Sequence, residues 1–267
     1  MIKVSVIIPV YNGAKFIENA IDSVIGQTNQ NFEIIIIDDG SIDNTPNILK
    51  GYGDKIKYCT QENQGQACAI NKGLEMSEGE YIAYLDSDDM YYPEKLEEQL
   101  KYFYDHPDVG LIYSDRCHID SSAKIISLVQ SRKLDHFLFL QENRLSRSSV
   151  MHRRKCLDEV GAFDGSISGS DDWDMWIRIS ERYAFGYINR PLIKYRIHEN
   201  SMSQTRPNRL DHDRWIRMKI IQKCYIRRGK PFGLKLMLIR AKFMWIIGKI
   251  PILGKRFRYF WTGLEIT

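Results

Sequence analysis

Residues able to do chemistry gather in three short acidic segments. Asp86-Ser87-Asp88-Asp89 follows directly on the apolar run 81–85, Asp38-Asp39 ends the run 32–37 in the same way, and Asp171-Asp172 precedes the amphipathic stretch 173–178. Carboxylates a few ångströms apart repel and raise one another's pKa, so such a cluster stays solvated or takes a cation. Hard oxygen donors suit Mg²⁺ or Mn²⁺, and Mg²⁺-type sites use one or two carboxylates and complete their shell with substrate phosphate and water. A divalent ion carrying a diphosphate therefore fits Asp86, Asp88 and Asp89. The competing readings are an acidic turn capping a helix that starts near Pro93, and for Asp171 and Asp172 a pair of helix caps, where the macrodipole favours carboxylates.

The elements that must position these acids can be read from periodicity. Residues 3–10 are almost continuously apolar, as a strand covered on both faces would be, and Tyr11-Asn12-Gly13 turns the chain. Phe16, Ile17, Ala20, Ile21, Val24 and Ile25 recur at helical spacing, and 32–37 is a second strand. Capping residues at 41–45 lead into Pro46 and a helix. A short strand at 55–59, a helix from about 65 to Met76, the strand 81–85, a helix near 93–105 and a strand at 109–113 follow. Strands alternating with helices imply an α/β fold with parallel βαβ units in an open sheet, whose ligands bind at the carboxyl ends of the strands and at the switch in strand order. Tyr11, Asp38, Asp39, Asp86, Asp88 and Asp89 all fall at such ends. Beyond them, 116–147 is polar and weakly patterned, a loop or small hairpins. Residues 148–152 form a strand, 153–160 a short helix, 161–165 a turn, and 169–178 an acidic turn entering a helix that buries Trp173, Trp176 and Ile177. Arg178 on that helix reads as a salt-bridge partner.

Composition narrows the class. The chain has 267 residues, 43% of them hydrophobic, enough for one large core or for one core plus an appendage. Its 5 cysteines are odd in number, dispersed and without a Cys-x-x-Cys pair, so neither a disulfide framework nor a zinc site is expected and a reducing cytoplasm fits. Residues 1–9 read as a strand rather than an export signal. Charge is divided: residues 1–205 carry 22 Lys+Arg against 31 Asp+Glu, while residues 206–267 carry 16 against 3. An acidic body of this kind argues against a nucleic-acid partner.

The basic tail, 206–267, alternates cations with Trp215, Ile216, Met218, Ile220, Ile221 and Tyr225, then concentrates apolar residues over 234–247 around Lys235, Arg240 and Lys242. Each central Lys or Arg costs on the order of 2.5–3.5 kcal/mol on insertion scales, so the tail is too charged to span a bilayer. Basic amphipathic helices lying on an anionic membrane surface are the expectation, at roughly 1 kcal/mol per cation. The alternative is a helix pair packed on the acidic body or in a homodimer. The expected organisation is a catalytic domain over 1–205, with a donor-binding half at 1–115 and an acceptor-side half at 116–205, followed by the tail.

Together, 4–13, 34–45, 79–89 and 171–178 resemble the motif series of family 2 glycosyltransferases, inverting enzymes of GT-A fold that use nucleotide-diphospho-sugars. The resemblance covers about residues 3–200. It implies a Rossmann-like, mostly parallel central sheet and a metal-dependent hexosyl- or N-acetylhexosaminyltransferase using Mn²⁺ or Mg²⁺. Pro9 and Tyr11 would line the base pocket, with Tyr11 stacked on uracil, and Asp39 would accept from the uracil N3–H. Asp88 would hold the ion bridging the diphosphate, with Asp86 and Asp89 nearby for ribose hydroxyls, water or metal. Asp171-Asp172 stands where the family commonly has Glu-Asp, so Asp172 would be the general base. Residues 195–203 resemble the motif after the last core strand, where Arg196 and His198 would reach the diphosphate or metal. The resemblance also implies a UDP-sugar donor and a lipid-linked or glycan acceptor, in surface polysaccharide synthesis on the inner face of the cell membrane. Two rivals share features with this reading: a sugar-nucleotidyltransferase, which would place a Gly-rich basic phosphate loop after the first strand where none is found, and a catalytically silent adaptor of the same fold.

Overall fold

In the computed structural model, residues 3–133, 136–140, 145–167, 169–199, 201, 218–224, 226–229, 235 and 239 are described. The chain divides into two compact units, 1–139 with 143–201, and 140–142 with 202–267. In the second unit, 218–224 is helical. Most of the basic tail, and with it the expectation of amphipathic helices on a membrane, lies outside the described residues.

In the first unit the elements run β1 (Val4–Val10), α1 (Ile17–Ile25), β2 (Phe32–Asp38), α2 (Thr45–Lys50), β3 (Lys57–Thr60), α3 (Gln66–Met76), β4 (Tyr81–Tyr84), β5 (Met90–Tyr91), α4 (Lys95–Asp105), β6 (Val109–Ile119), β7 (Ile125–Val129), α5 (His136–Phe139), β8 (Met151–Arg153), α6 (Lys155–Val160), α7 (Asp171–Ser180) and β9 (Ala184–Arg196). The sheet order is β3-β2-β1-β4-β8-β6-β9-β5, with β7 paired to β6. β3, β2, β1 and β4 are mutually parallel and β6 runs parallel to β9; β8 enters antiparallel between β4 and β6.

Every residue of β1 is buried, which explains its unbroken apolar sequence: a central parallel strand has helices on both faces. On one side Ile17, Ala20, Ile21 and Val24 of α1 join Val4, Val6, Ile8, Ile34 and Ile36 in the main core. On the other, α3 comes so near that a Cβ on Gly73 would stand 2.6 Å from Ile7 Cγ2. Strand order reverses between β2-β1 and β1-β4, and the ladder of β1 with β4 ends where Leu85 N donates to Ile7 O. Past that bond the two strands part. Backbone groups on β1 alternate sides, Val10 O accepting from Asp39 N next to β2, so Pro9 turns its nitrogen toward the opening and forfeits no ladder bond. Both the Asp86–Asp89 loop and Tyr11 leave the sheet here, at the switch in strand order.

β6 runs to Ile119 rather than ending near Tyr113. Its polar second half reads poorly as a strand, yet it is paired on both sides, with β9 and with β7. The expected small hairpin is the β6–β7 pair. α7 buries Trp173, Trp176 and Ile177, and Arg178 donates to Asp174 (2.8 Å) and to the carbonyl of Ala162, as a structural residue would.

Candidate active site

The loops after β1 and β2 fix each other. Asn12, at φ 52°, donates its N–H to Ser41 Oγ (2.8 Å) and accepts from Ile42 N (2.9 Å), while Gly13 N donates to Thr45 Oγ1 (2.9 Å). A Cβ at Gly13 would lie 2.5 Å from Val10 Cγ2, so the tight exit from β1 excludes any other residue. Tyr11 stands at this rim, 50% exposed, whereas Pro9 is buried within the strand.

Asp38 and Asp39 divide. Asp38 is buried and accepts from Ser41 N and the Tyr58 hydroxyl. Asp39 clamps the loop before α3: its oxygens accept from Gln61 Nε2 (2.7 Å), Gln64 N (2.9 Å) and Gly65 N (2.8 Å). The next residue, Gln66, donates to Asp86 Oδ1 (3.1 Å), linking that clamp to the second acidic segment.

The three acids of 86–89 face three ways. Asp86 points toward the head of α7, with Arg147 Nη1 at 3.4 Å. Burial, together with Asp88, Asp172 and Asp171, raises its pKa to about 6 against the opposing pull of Arg147. Asp88 is partly exposed, and its Oδ2 is 3.0 Å from His198 Nε2, whose ring packs on Phe16. Asp89 turns inward, 1% exposed, accepting from Ser148 Oγ (2.6 Å) and Arg196 N (2.9 Å). Burial and the two neighbouring acids hold its pKa well above the ordinary carboxylate value, despite those two donors.

Arg196 does not reach outward either. Its buried guanidinium donates to the carbonyls of Asp88 (2.8 Å), Asp120 (3.0 Å) and Ser121 (3.1 Å), tying the end of β9 to the acidic loop and to the β6–β7 turn. A planar donor fork satisfies several carbonyls at once, which a buried arginine requires.

Asp171 and Asp172 open α7. Asp171 is buried against Arg147 Nη2 at 2.8 Å. Asp172 is half-buried, its Oδ1 accepting from Trp173 N (2.7 Å). It lies within electrostatic reach of both Asp86 and Arg147, so the second and third acidic segments share one locality. The donor set also suits a hard cation. Carboxylates outnumber the arginines around them, and Asp88 with His198 sets a carboxylate oxygen beside an imidazole nitrogen, a pairing that Mn²⁺ accepts. Among the described residues no group of three His, Cys, Asp or Glu forms a complete protein cage. A site that takes most of its oxygens from substrate phosphate and water does not need one.

Sequence reading missed Arg147, Ser148 and Gln66. The available signal was a charge argument: buried acids need a cation, and Arg147-Ser148 directly precedes a strand.

A family model described as glycosyl transferase family 2 matches residues 5–161. The chain belongs to that family. An uncharacterized glycosyltransferase of Rickettsia typhi is 36% identical over 217 residues, covering 78% of this chain and 68% of its own length. A second, from Methanocaldococcus jannaschii, is 31% identical over 220 residues, covering 78% of this chain and 76% of its own. Among solved structures, S. aureus TarS 1-349 in complex with UDP-GlcNAc aligns with a TM-score of 0.68 at 17% identity, covering 84% of this chain and 66% of that one. The mannosyltransferase PcManGT from Pyrobaculum calidifontis, in complex with GDP-Man and Mn²⁺, aligns with a TM-score of 0.65 at 19% identity, covering 90% of this chain and 68% of that one. Of a longer TarS chain this glycosyltransferase spans 40%. At such identities the likeness establishes the α/β, GT-A-like fold.

Proposed function

We propose that this family 2 glycosyltransferase moves a sugar, with inversion at C1, from a UDP-sugar to an acceptor hydroxyl on a lipid-linked glycan. The observation that carries the reading is the meeting of Asp86 and Asp88, on the loop after β4 at the switch in strand order, with Asp171 and Asp172 at the head of α7, far away in sequence.

Tyr11, half exposed beside the parting of β1 and β4, stacks on the uracil, with Pro9 forming the floor beneath it. Asp39, already holding three donors, can still accept one N–H at Oδ2, matching uracil N3–H. Asp86 serves the ribose or its water. Asp88 and His198 would hold the divalent ion; Asp89, with both oxygens engaged, sets the loop that aims Asp88. The ion, when bound, offsets the negative charge that grows on the departing diphosphate. Asp172 accepts the proton of the acceptor hydroxyl as that oxygen attacks C1, and the C1–O bond breaks with its electron pair leaving on the nucleoside diphosphate. Residues 1–205 form the catalytic domain in this reading.

The acceptor assignment rests on the tail. Its cations and apolar residues suit the anionic inner face of the cell membrane, and among the described residues no helix is long and apolar enough to cross one. A UDP-sugar panel with Mn²⁺ or Mg²⁺, scored for donor hydrolysis and for transfer to membrane lipid extract, tests the proposal. Asp88→Ala should lose both activities, and Asp172→Asn should keep donor binding but lose transfer. Full transfer by Asp172→Asn removes it as the base. A parallel arm with a nucleoside triphosphate and a sugar 1-phosphate separates the rival readings, since a nucleotidyltransferase would release pyrophosphate there and a silent adaptor would be inactive in both arms.

A further inference from the structure

Arg147 lies in the 3₁₀ turn Arg147–Ser149 just before β8, and it is 6% exposed. One guanidinium nitrogen is 2.8 Å from Asp171 Oδ2 and the other 3.4 Å from Asp86 Oδ1, while its Nε is buried with no hydrogen-bond partner. Among the described residues no other side-chain cation pairs with either acid. Burial alone would pull the guanidinium down, but Asp171, Asp86 and Asp172 outweigh it and hold the group charged.

The turn that carries Arg147 is itself fixed from three directions. Ser149 N and Oγ both donate to Ser146 O (2.9 and 2.7 Å). Gln99 of α4 donates to Ser149 O (2.8 Å), and Ser148 Oγ accepts from Asp86 N (3.1 Å) while donating to Asp89. Arg147 is thus a short strut on a rigid base. It spans from the loop that would hold donor and ion to the first residue of the helix whose second residue is Asp172.

A buried ion pair is weak evidence for stability, because desolvation cancels much of the attraction. Here the geometry serves placement instead. We propose that Arg147 is a positioning residue for sugar transfer: by holding Asp86 and Asp171 on one guanidinium, it fixes Asp172 relative to the donor. This rests on the functional reading above. Reactant placement is steeply sensitive, a displacement of about 1 Å costing on the order of 10²-fold in rate.

The experiment compares wild type with Arg147→Met, Arg147→Lys and Asp171→Asn. Three readouts are used: transfer kinetics, calorimetric titration of UDP-sugar with Mn²⁺, and amide hydrogen exchange. Arg147→Met should lower kcat about 100-fold while leaving donor affinity within about threefold. Arg147→Lys, which keeps a charge but cannot bridge both acids, should lower kcat by about tenfold and serves if the Met variant fails to fold. Combining Arg147→Met with Asp171→Asn should add little to the larger single loss, since both cut one strut. Unchanged kcat in Arg147→Lys, donor affinity lost in step with kcat, or fully additive losses would each overturn the proposal. Hydrogen exchange keeps the outcome separate from the fate of the functional reading. Should wild type transfer no sugar at all, the substitutions must still speed exchange selectively in the first turn of α7 and in 86–89. Unaltered protection there, or a uniform rise across the sheet, overturns the strut.

Discussion

Lys95 is fully buried at the first turn of α4, where the helix dipole disfavours a cation. Its Nζ donates to Gln99 Oε1 (2.7 Å) and sits 4.2 Å from the centre of the Tyr91 ring, and no carboxylate pairs with it among the described residues. Burial drives its pKa well below the usual lysine value of 10.5. The ring offers an ammonium on the order of 2 kcal/mol at best, against an effective desolvation penalty of several kcal/mol, so the neutral amine prevails. Between the depressed folded pKa and 10.5 the unfolded chain binds a proton that the folded chain does not. Stability therefore rises with pH across that window, with a slope approaching about 1.4 kcal/mol per unit. Lys95→Met keeps the volume and deletes the proton site, so its stability curve should lack this component. Urea unfolding of both proteins from pH 6 to 9.5, analysed with a common m-value, measures the difference. Parallel pH dependences, or a wild type that weakens relative to Lys95→Met as pH rises, would refute the argument and mean that Lys95 is charged in the fold.

Further outcomes follow from single contacts. Tyr11→Ala should weaken UDP-sugar binding by about 1–3 kcal/mol, the range for one base stacked on an aromatic ring, with the melting temperature unchanged; calorimetry reads both. Ser148→Ala removes a donor from buried Asp89 and an acceptor from Asp86 N, and should destabilise by about 1–3 kcal/mol in denaturant titration. A Cβ at Gly79 would lie 2.5 Å from Ser5 N, a backbone atom that cannot rotate away, so Gly79→Ala should cost about 1–3 kcal/mol and lower the melting temperature. Trp176→Ala should cost about 3–5 kcal/mol by emptying the packing of Tyr84, His152 and Phe163 around the indole.

What the sequence determined by itself was local. The unbroken apolar run of β1, the helical spacing of α1 and the acids at strand ends each follow from a few consecutive residues, because burial on two faces, a 3.6-residue period and a turn are short-range demands. From them came the α/β class, the parallel half of the sheet and the candidate set of acids. The polar half of β6 escaped because its strand character comes from partners on either side, β9 and β7, which lie outside any local window. Asp88 and Asp89 show the same limit more sharply. Adjacent, identical carboxylates part company only because Ser148 and the Arg196 backbone wait on one side and His198 on the other, and Arg196 and His198 arrive from more than a hundred residues away. Arg147 had only a charge argument in its favour and no local pattern to choose it among the other cations, since its two acidic partners sit 61 and 24 residues distant. Composition and periodicity decide which residues could ionise at a strand's end, while only the assembled sheet decides which of them are buried, and a carboxylate's charge and reach depend on that burial.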